Sequence, residues 1–234
     1  MPLVVDDGLP YGLQYGLGSV PMGEAHSAES RLPLPEPTPD GVRLTGPLPW
    51  AEEDRPTRPP PPDRRYSAQQ RSAPEMLLSV HGHLRAELAE IRALAEQVRQ
   101  GSIDVGVARS ALNEMAIRQN NWTLGAYCQS YCRLVAQHHS LEDHSVFPRL
   151  RRSDPELGPV LDRLHLEHGV IGESLDSVDR ALINLVHADG SDGDHARAVD
   201  ALRHQVDRLS DVLLSHLAYE EREIMHPLAE HGFF

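Results

Sequence analysis

Residues 138–150, HHSLEDHSVFPRL, share a pattern with residues 216–228, HLAYEEREIMHPL. Each stretch begins with a histidine and has a glutamate four positions later, followed at once by a second acidic residue. Residues four apart lie on the same face of an α-helix, with β-carbons roughly 5–6 Å apart. Each stretch therefore places one imidazole and one carboxylate where both can bind the same metal centre.

The repetition of this histidine–glutamate pair predicts a dinuclear metal site. The pairs are His138 with Glu142 and His216 with Glu220. A carboxylate has two oxygens, so a glutamate from each helix can bridge two metal ions while the histidines bind as terminal ligands. One such pair alone is usually a surface ion pair, so the prediction depends on the second copy.

Apolar residues recur at spacings of three and four through most of the chain after residue 75, which is typical of amphipathic helices. The predicted helices cover about residues 76–100, 104–117, 122–147, 155–187 and 195–226. Pro148 ends one of them in this prediction, because proline lacks the amide that the next turn needs. Four main antiparallel helices with short connections predict an all-α fold, an up-down four-helix bundle.

The first and third main helices each add a histidine beside the apolar stripe. His81 and His168 share the spacing His-x2-(Leu or Ile)-x3-Leu. Six side chains are then predicted to converge as metal ligands: His81, His138, Glu142, His168, His216 and Glu220. Imidazole with carboxylate suits iron or manganese. Two six-coordinate ions with these ligands keep positions for water, hydroxide or oxygen.

Four neighbouring side chains have more than one interpretation. His139 and His165 lie beside predicted ligand histidines, and Glu221 follows Glu220 directly. Each can bind a metal or hydrogen-bond a residue that does. Tyr131 is a candidate catalytic proton donor toward bound oxygen, although filling the core is the favoured interpretation.

In the predicted domain organisation, residues 1–74 form an N-terminal arm and residues 75–234 form the bundle. Fifteen of the 19 prolines precede residue 75. A segment this rich in proline, glycine and charge favours extended conformations over a core. We expect the arm to be mostly irregular, either disordered or draped on the bundle. Its YGLQYGL stretch at residues 11–17 can dock on a partner or on the bundle, with a solvated tail favoured.

The composition excludes several classes of function. The formal net charge is −13, so a polyanion such as nucleic acid would be repelled. All 22 basic residues are arginine, which excludes Schiff-base lysine chemistry and phosphate loops that end in Gly-Lys. Two cysteines are too few for a disulfide scaffold. Without an apolar stretch long enough to span a bilayer, we expect a cytoplasmic protein with no membrane partner.

Taken together, the motifs resemble the hemerythrin family, specifically bacterial hemerythrin-like proteins with the HHE cation-binding domain. The resemblance covers about residues 76–228. Four stretches that resemble the family signatures occur in order: His81 with Leu84-Arg85-x-Glu87-Leu88, His138-His139-x2-Glu142-Asp143, Glu167-His168 and His216-x3-Glu220-Glu221. The resemblance implies a non-haem di-iron centre with carboxylate bridges, in which manganese is a possible substitute.

The resemblance also implies a set of activities: oxygen binding, peroxide breakdown, oxygen or nitric oxide sensing, and iron handling. One departure from the family is informative. Its oxygen carriers place two ligating histidines four apart on the third helix, whereas Leu164 and Gly172 flank His168 at that distance. Loss of one nitrogen ligand would leave the iron pair more open. We therefore expect turnover of peroxide or oxygen, as in a catalase-like, peroxidase-like or oxidase enzyme, rather than reversible oxygen carriage.

Other functions stay open on the sequence alone. A sensor is one, in which a protein partner reads the metal state through the N-terminal arm. A ferritin-like oxidase normally needs two Glu-x2-His pairs on separate helices, and only Glu223-x2-His226 fits that spacing. An interaction bundle without metal is the third, and it would leave most of the 14 histidines without a binding role.

Overall fold

The computed structural model describes residues 31–59, 64–103, 110–188 and 192–233. Four long helices dominate it: α1 (Ala68–Ile103), α2 (Ser110–Leu141), α4 (Gly158–His187) and α5 (Asp192–His231), with the short helix α3 (Phe147–Ser153) between α2 and α4. α1 and α4 each contact both α2 and α5, so the long helices close a ring. The predicted all-α four-helix bundle is confirmed. None of the helices in these ranges combines the length and hydropathy needed to cross a membrane.

Two helices continue through prolines that were expected to lie outside them. α1 begins at Ala68, before Pro74, and α5 continues past Pro227 to His231. Each proline removes one backbone hydrogen bond from its helix. Each proline is itself buried, and so is one direct neighbour, Ala73 beside Pro74 and Leu228 beside Pro227. Their packing offsets the lost bond, which local propensity alone does not reveal.

The predicted end of the second main helix at Pro148 is wrong. α2 is continuous to Leu141 and passes into a π-helical turn, Glu142–Val146, in which the Phe147 amide donates to the Glu142 carbonyl five residues back. Pro148 then lies in the first turn of α3, where a missing amide costs little. The separate short helix predicted at 104–117 belongs to α2 from Ser110 onward, and residues 104–109 lie outside the described ranges.

Two apolar clusters fill the bundle, one on each side of a layer of polar side chains. On α1, His81 lies between Leu77 of one cluster and Leu84 of the other. On α4, His168 lies in the same way between Leu164 and Ile171. We call the layer between the clusters the polar layer, and its members are His81, His138, His139, Glu142, His168, His216 and Glu220.

The arm segment, residues 31–59, lies against the bundle. The buried Asp211 carboxylate on α5 accepts hydrogen bonds from the Leu44 amide (2.8 Å) and the Thr45 amide (2.7 Å). Leu48 and Trp50 pack against one apolar cluster of the bundle. Residues 11–17, for which docking or solvation was considered, lie outside the described ranges.

Two leucines on α4 provide a matched test of the packing. Leu161 is 1% exposed within an apolar cluster, whereas Leu166 is 66% exposed. We expect Leu161→Ala to lower the free energy of unfolding by about 2–5 kcal/mol, because it removes buried methyl groups and creates a cavity. Leu166→Ala should change it by less than about 0.5 kcal/mol. Chemical denaturation of both variants measures the difference, and equal effects would contradict this packing.

Candidate metal centre

Two groups of potential metal ligands lie next to each other in the polar layer. The three-histidine group comprises His139, His168 and His216, and the two-histidine group comprises His81, His138, Glu142 and Glu220. Within each group the ligand atoms all lie within 4.8 Å of one another. All four long helices and the π-helical turn contribute, so the site exists only when the bundle is assembled.

Each glutamate of the polar layer faces both groups. Glu142 Oε1 lies 3.2 Å from His138 Nε2, and its other oxygen, Oε2, lies 3.6 Å from His168 Nε2. Glu220 Oε2 lies 3.4 Å from His81 Nε2 and 3.7 Å from His216 Nε2. Both carboxylates are therefore placed where they can bridge a cation in one group and a cation in the other.

Three further carboxylates orient the imidazoles. Nδ1 donates a hydrogen bond to a carboxylate in three pairs: His81 to Glu221 (2.9 Å), His168 to Asp143 (2.9 Å) and His216 to Glu167 (3.1 Å). A proton held on Nδ1 leaves a lone pair on Nε2. The Nε2 atoms of His168 and His216 lie 3.2 Å apart. Two lone pairs at this distance repel each other unless a cation lies between them.

Several buried atoms of the polar layer have no protein hydrogen-bond partner. They are His139 Nε2, Glu142 Oε2 and both carboxylate oxygens of Glu220. A buried polar atom without a partner costs free energy, and a buried carboxylate costs more. Unpartnered nitrogens and oxygens that converge on one region are the donor set a cation would need, so the residues present fit a metal site.

The electrostatics of the layer also suit metal binding. Burial lowers the pKa of His138 to about 3, which keeps its imidazole neutral and its lone pair available. Burial lowers the pKa of His139 as well. Burial and the neighbouring Glu220 carboxylate raise the pKa of Glu142 well above its ordinary value. Cations between the two glutamates would remove this repulsion and restore the charged form.

The structure brings together all six side chains that the sequence proposed as ligands. It places their three ambiguous neighbours in different positions. His139 joins the three-histidine group. Glu221 is instead held by the Arg85 guanidinium (2.6 Å) and by His81 Nδ1. His165 is largely exposed, and its Nδ1 donates to Asp143. That these side chains bind a metal stays a prediction at the level of single residues.

The structure changes the expected number of nitrogen ligands and shows where the candidate proton donor lies. The site was expected to lack one nitrogen ligand, because Leu164 and Gly172 occupy the family's positions on the third helix. α2 places His139 in that group instead, so five histidines converge. Tyr131, considered as a proton donor, is buried in the core, and its hydroxyl donates to the Leu84 carbonyl at 3.2 Å. The favoured interpretation of Tyr131 as core agrees with this position.

Sequence reasoning assigned no role to three residues that orient the site. Asp143 and Glu167 were noted only as neighbours of ligands, and Arg55 was not singled out. Their partners lie on other elements: Arg55 donates to Glu167 at 2.8 Å through both Nε and Nη2. Helical spacing reports which residues share a face of one helix, and it contains no information about such cross-element contacts.

Comparison with known proteins adds independent support. A model of the Hemerythrin HHE cation binding domain matches residues 72–225. The chain belongs to the hemerythrin family. Neither curated proteins nor solved structures give a significant match to it. The hemerythrin match covers both ligand groups and leaves the arm segment, residues 31–59, outside.

Membership of a cation-binding family, together with the two ligand groups, indicates that this hemerythrin-family chain binds metal. His139→Ala is expected to lower metal content by about half, because the three-histidine group loses one of its nitrogens. His144→Ala is the matched control: His144 lies in the same stretch but is exposed, and its Nδ1 bonds the Ser140 carbonyl. Metal per chain after purification without chelators measures both. Full metal content in His139→Ala would remove this residue from the site.

Proposed function

We propose that this hemerythrin-family protein is a non-haem di-iron protein that binds or activates dioxygen or peroxide. The observation that carries the proposal is the position of Glu142, whose two oxygens face different histidine groups, 3.2 Å from His138 Nε2 and 3.6 Å from His168 Nε2. A carboxylate between two nitrogen-rich groups favours a pair of ions over a single ion. Iron is the favoured metal and manganese the substitute, because both accept imidazole with carboxylate.

The donor count leaves the two proposed ions unequal. With both glutamates shared, the three-histidine group offers five protein donors and the two-histidine group offers four. The ion held by His81 and His138 would therefore keep more positions for a small molecule. A non-haem iron pair supplies redox chemistry toward dioxygen and peroxide when bound.

Burial determines what can reach the site. The side chains of His81, His216 and Glu220 are fully buried, whereas His138 keeps 9% exposure. Apolar clusters lie on both sides of the polar layer. This environment favours a small ligand such as dioxygen or peroxide over a larger substrate and limits the entry of bulk water.

Turnover and reversible binding are both included in the proposal. Turnover was favoured because a nitrogen ligand was expected to be missing, and His139 now occupies the three-histidine group. That argument no longer applies. A catalase-like, peroxidase-like or oxidase activity and reversible oxygen binding are therefore distinct outcomes of one experiment.

The experiment loads the protein with ferrous iron without oxygen and then adds oxygen or peroxide. We expect about two irons per chain and an oxygen-dependent rise in near-ultraviolet absorption, because the proposed shared carboxylates place two irons together. Consumption of peroxide over many turnovers would indicate an enzyme, and a spectrum that reverses when oxygen is removed would indicate carriage. Bound iron that reacts with neither would overturn the proposal.

Glu142→Gln tests the bridging role directly. Replacing one carboxylate oxygen with an amide is expected to lower iron content by at least half and to abolish the oxygen-dependent spectrum, since an amide nitrogen cannot bind the second ion. Glu156→Gln is the matched control, because the Glu156 side chain is 89% exposed. Unchanged iron content and spectrum in Glu142→Gln would contradict a bridge at this residue.

A second candidate is an oxygen, nitric oxide or iron sensor that a protein partner reads through the N-terminal arm. The observation that favours it is the contact between Arg55 of the arm segment and Glu167, which also accepts hydrogen bonds from the ligand candidate His216 and from Arg163. A change of metal state at His216 would reach the arm through one carboxylate. This candidate predicts an interaction with a partner that depends on bound iron and is abolished by removal of the arm.

A further inference from the structure

One arginine of the arm segment is buried directly behind a ligand histidine. Arg55 donates to both oxygens of Glu167, from Nε to Oε1 and from Nη2 to Oε2, each at 2.8 Å. Glu167 Oε2 also accepts the hydrogen bond from His216 Nδ1 at 3.1 Å. The side chains of Arg55 and Glu167 are 3% and 1% exposed. A guanidinium, a carboxylate and an imidazole thus form a chain from the arm to the polar layer.

This guanidinium also contacts Glu52 and Trp50 of its own segment, and its further contacts lie along α5, next to the same histidine. Arg55 Nη1 donates to Ser215 Oγ at 3.0 Å, and the guanidinium carbon lies 4.6 Å from the centre of the Tyr219 ring. Ser215 and Tyr219 lie one residue before and three residues after His216. A buried charge is tolerated only when it is paired and hydrogen-bonded. Arg55 meets this condition only while the arm segment is docked.

The arm segment reaches the other group in the same manner. The Thr38 amide donates to Glu221 Oε2 at 2.7 Å, and Glu221 Oε1 accepts the hydrogen bond from His81 Nδ1 at 2.9 Å. Asp211 holds the intervening residues through the amides of Leu44 and Thr45. One continuous segment therefore contacts the carboxylates behind two ligand histidines, one from each group.

We propose that Arg55 is a positioning residue for His216, and that docking of the arm segment on the bundle is thereby coupled to metal binding. The inference rests on the proposed function only for the existence of a metal at the three-histidine group. It extends beyond the family, because residues 31–59 lie outside the region that the hemerythrin match covers.

The chemistry of the coupling follows from the tautomer of His216. Arg55 holds both oxygens of Glu167, and this fixes Oε2 as the acceptor for His216 Nδ1. An acceptor at this position keeps the proton on Nδ1 and the lone pair on Nε2, toward the polar layer. When the arm segment leaves, Glu167 loses its bidentate partner and keeps Arg163, whose Nε donates to Oε1 at 2.7 Å. Oε2, the acceptor for His216, then has no guanidinium to hold it, and the imidazole loses part of its orientation.

The coupling acts in both directions. If docking of the arm segment raises the affinity for metal by some factor, metal binding stabilises the docked segment by the same factor. The metal state is then readable outside the bundle as the accessibility of residues 31–59. This gives the arm a regulatory role for the same site.

Anaerobic competition between the protein and a chelator for Fe²⁺ measures the first direction. We expect Arg55→Gln to weaken iron binding by about 10–100-fold, the usual effect of removing a partner behind a ligand histidine. Arg58→Gln is the matched control, because Arg58 docks the same segment through Asp154 and touches neither ligand group. It should stay within about twofold of wild type. Arg55→Gln at wild-type affinity, or an equal loss in Arg58→Gln, would overturn the assignment.

Arg55→Lys serves as the conservative variant. Lysine keeps the positive charge but cannot form the paired hydrogen bonds of a guanidinium. We expect an affinity between those of wild type and Arg55→Gln. If Arg55→Gln fails to fold, as judged by its helical circular dichroism, Arg55→Lys decides the question, and wild-type affinity in it would exclude a role for the bidentate contact.

A glutamate-specific protease measures the second direction, since Glu36, Glu52 and Glu53 lie in the arm segment. Fe²⁺ should slow cleavage there in the wild type and in Arg58→Gln, and this protection should be lost in Arg55→Gln. Equal rates of cleavage in the wild type with and without Fe²⁺ would overturn the coupling. The two proposals fail differently: bound iron that is inert to oxygen and peroxide defeats the proposed function alone, whereas absence of any bound iron defeats both.

Discussion

The cost of burying polar atoms without partners governs this structure. Five imidazoles and two carboxylates lie between two apolar clusters, where water cannot solvate them. Three of the imidazoles have their Nδ1 protons held by carboxylates, so their Nε2 lone pairs point into the polar layer. Such a layer destabilises a bundle unless something positive occupies it. Membership of a cation-binding family and the geometry of the layer therefore agree on physical grounds.

The side chains that form and orient the polar layer come from several elements of the described chain. The π-helical turn begins at Glu142, which follows His138 and His139 at the end of α2. An extra residue in a turn changes the direction in which the following side chains point, and such turns often occur at functional sites. Asp143 in that turn bonds His168 on α4, and Glu167 on α4 bonds His216 on α5. Each long helix thus holds a histidine or the carboxylate that orients it.

Much of the fold could be predicted because helical periodicity is a local property. The four main helices and the faces that carry His81, His138, His168 and His216 follow from spacing alone. The errors occurred at prolines, where burial of neighbours such as Leu228 offsets a lost backbone bond that the sequence pattern counts as a stop. His139 was ambiguous for a related reason. The sequence gives its angle around α2, but it does not give the distance from α2 to α4 and α5.

The sequence by itself determined the chemistry of the donors and their grouping in pairs, since two copies of one histidine–glutamate spacing can be recognised without coordinates. The tertiary structure decided that His139 joins His168 and His216, and that Arg55 reaches Glu167. Residue types and their spacing along one helix can be read directly from consecutive positions in the sequence. Contacts between elements depend on how the apolar faces pack, and packing is a property of the whole bundle.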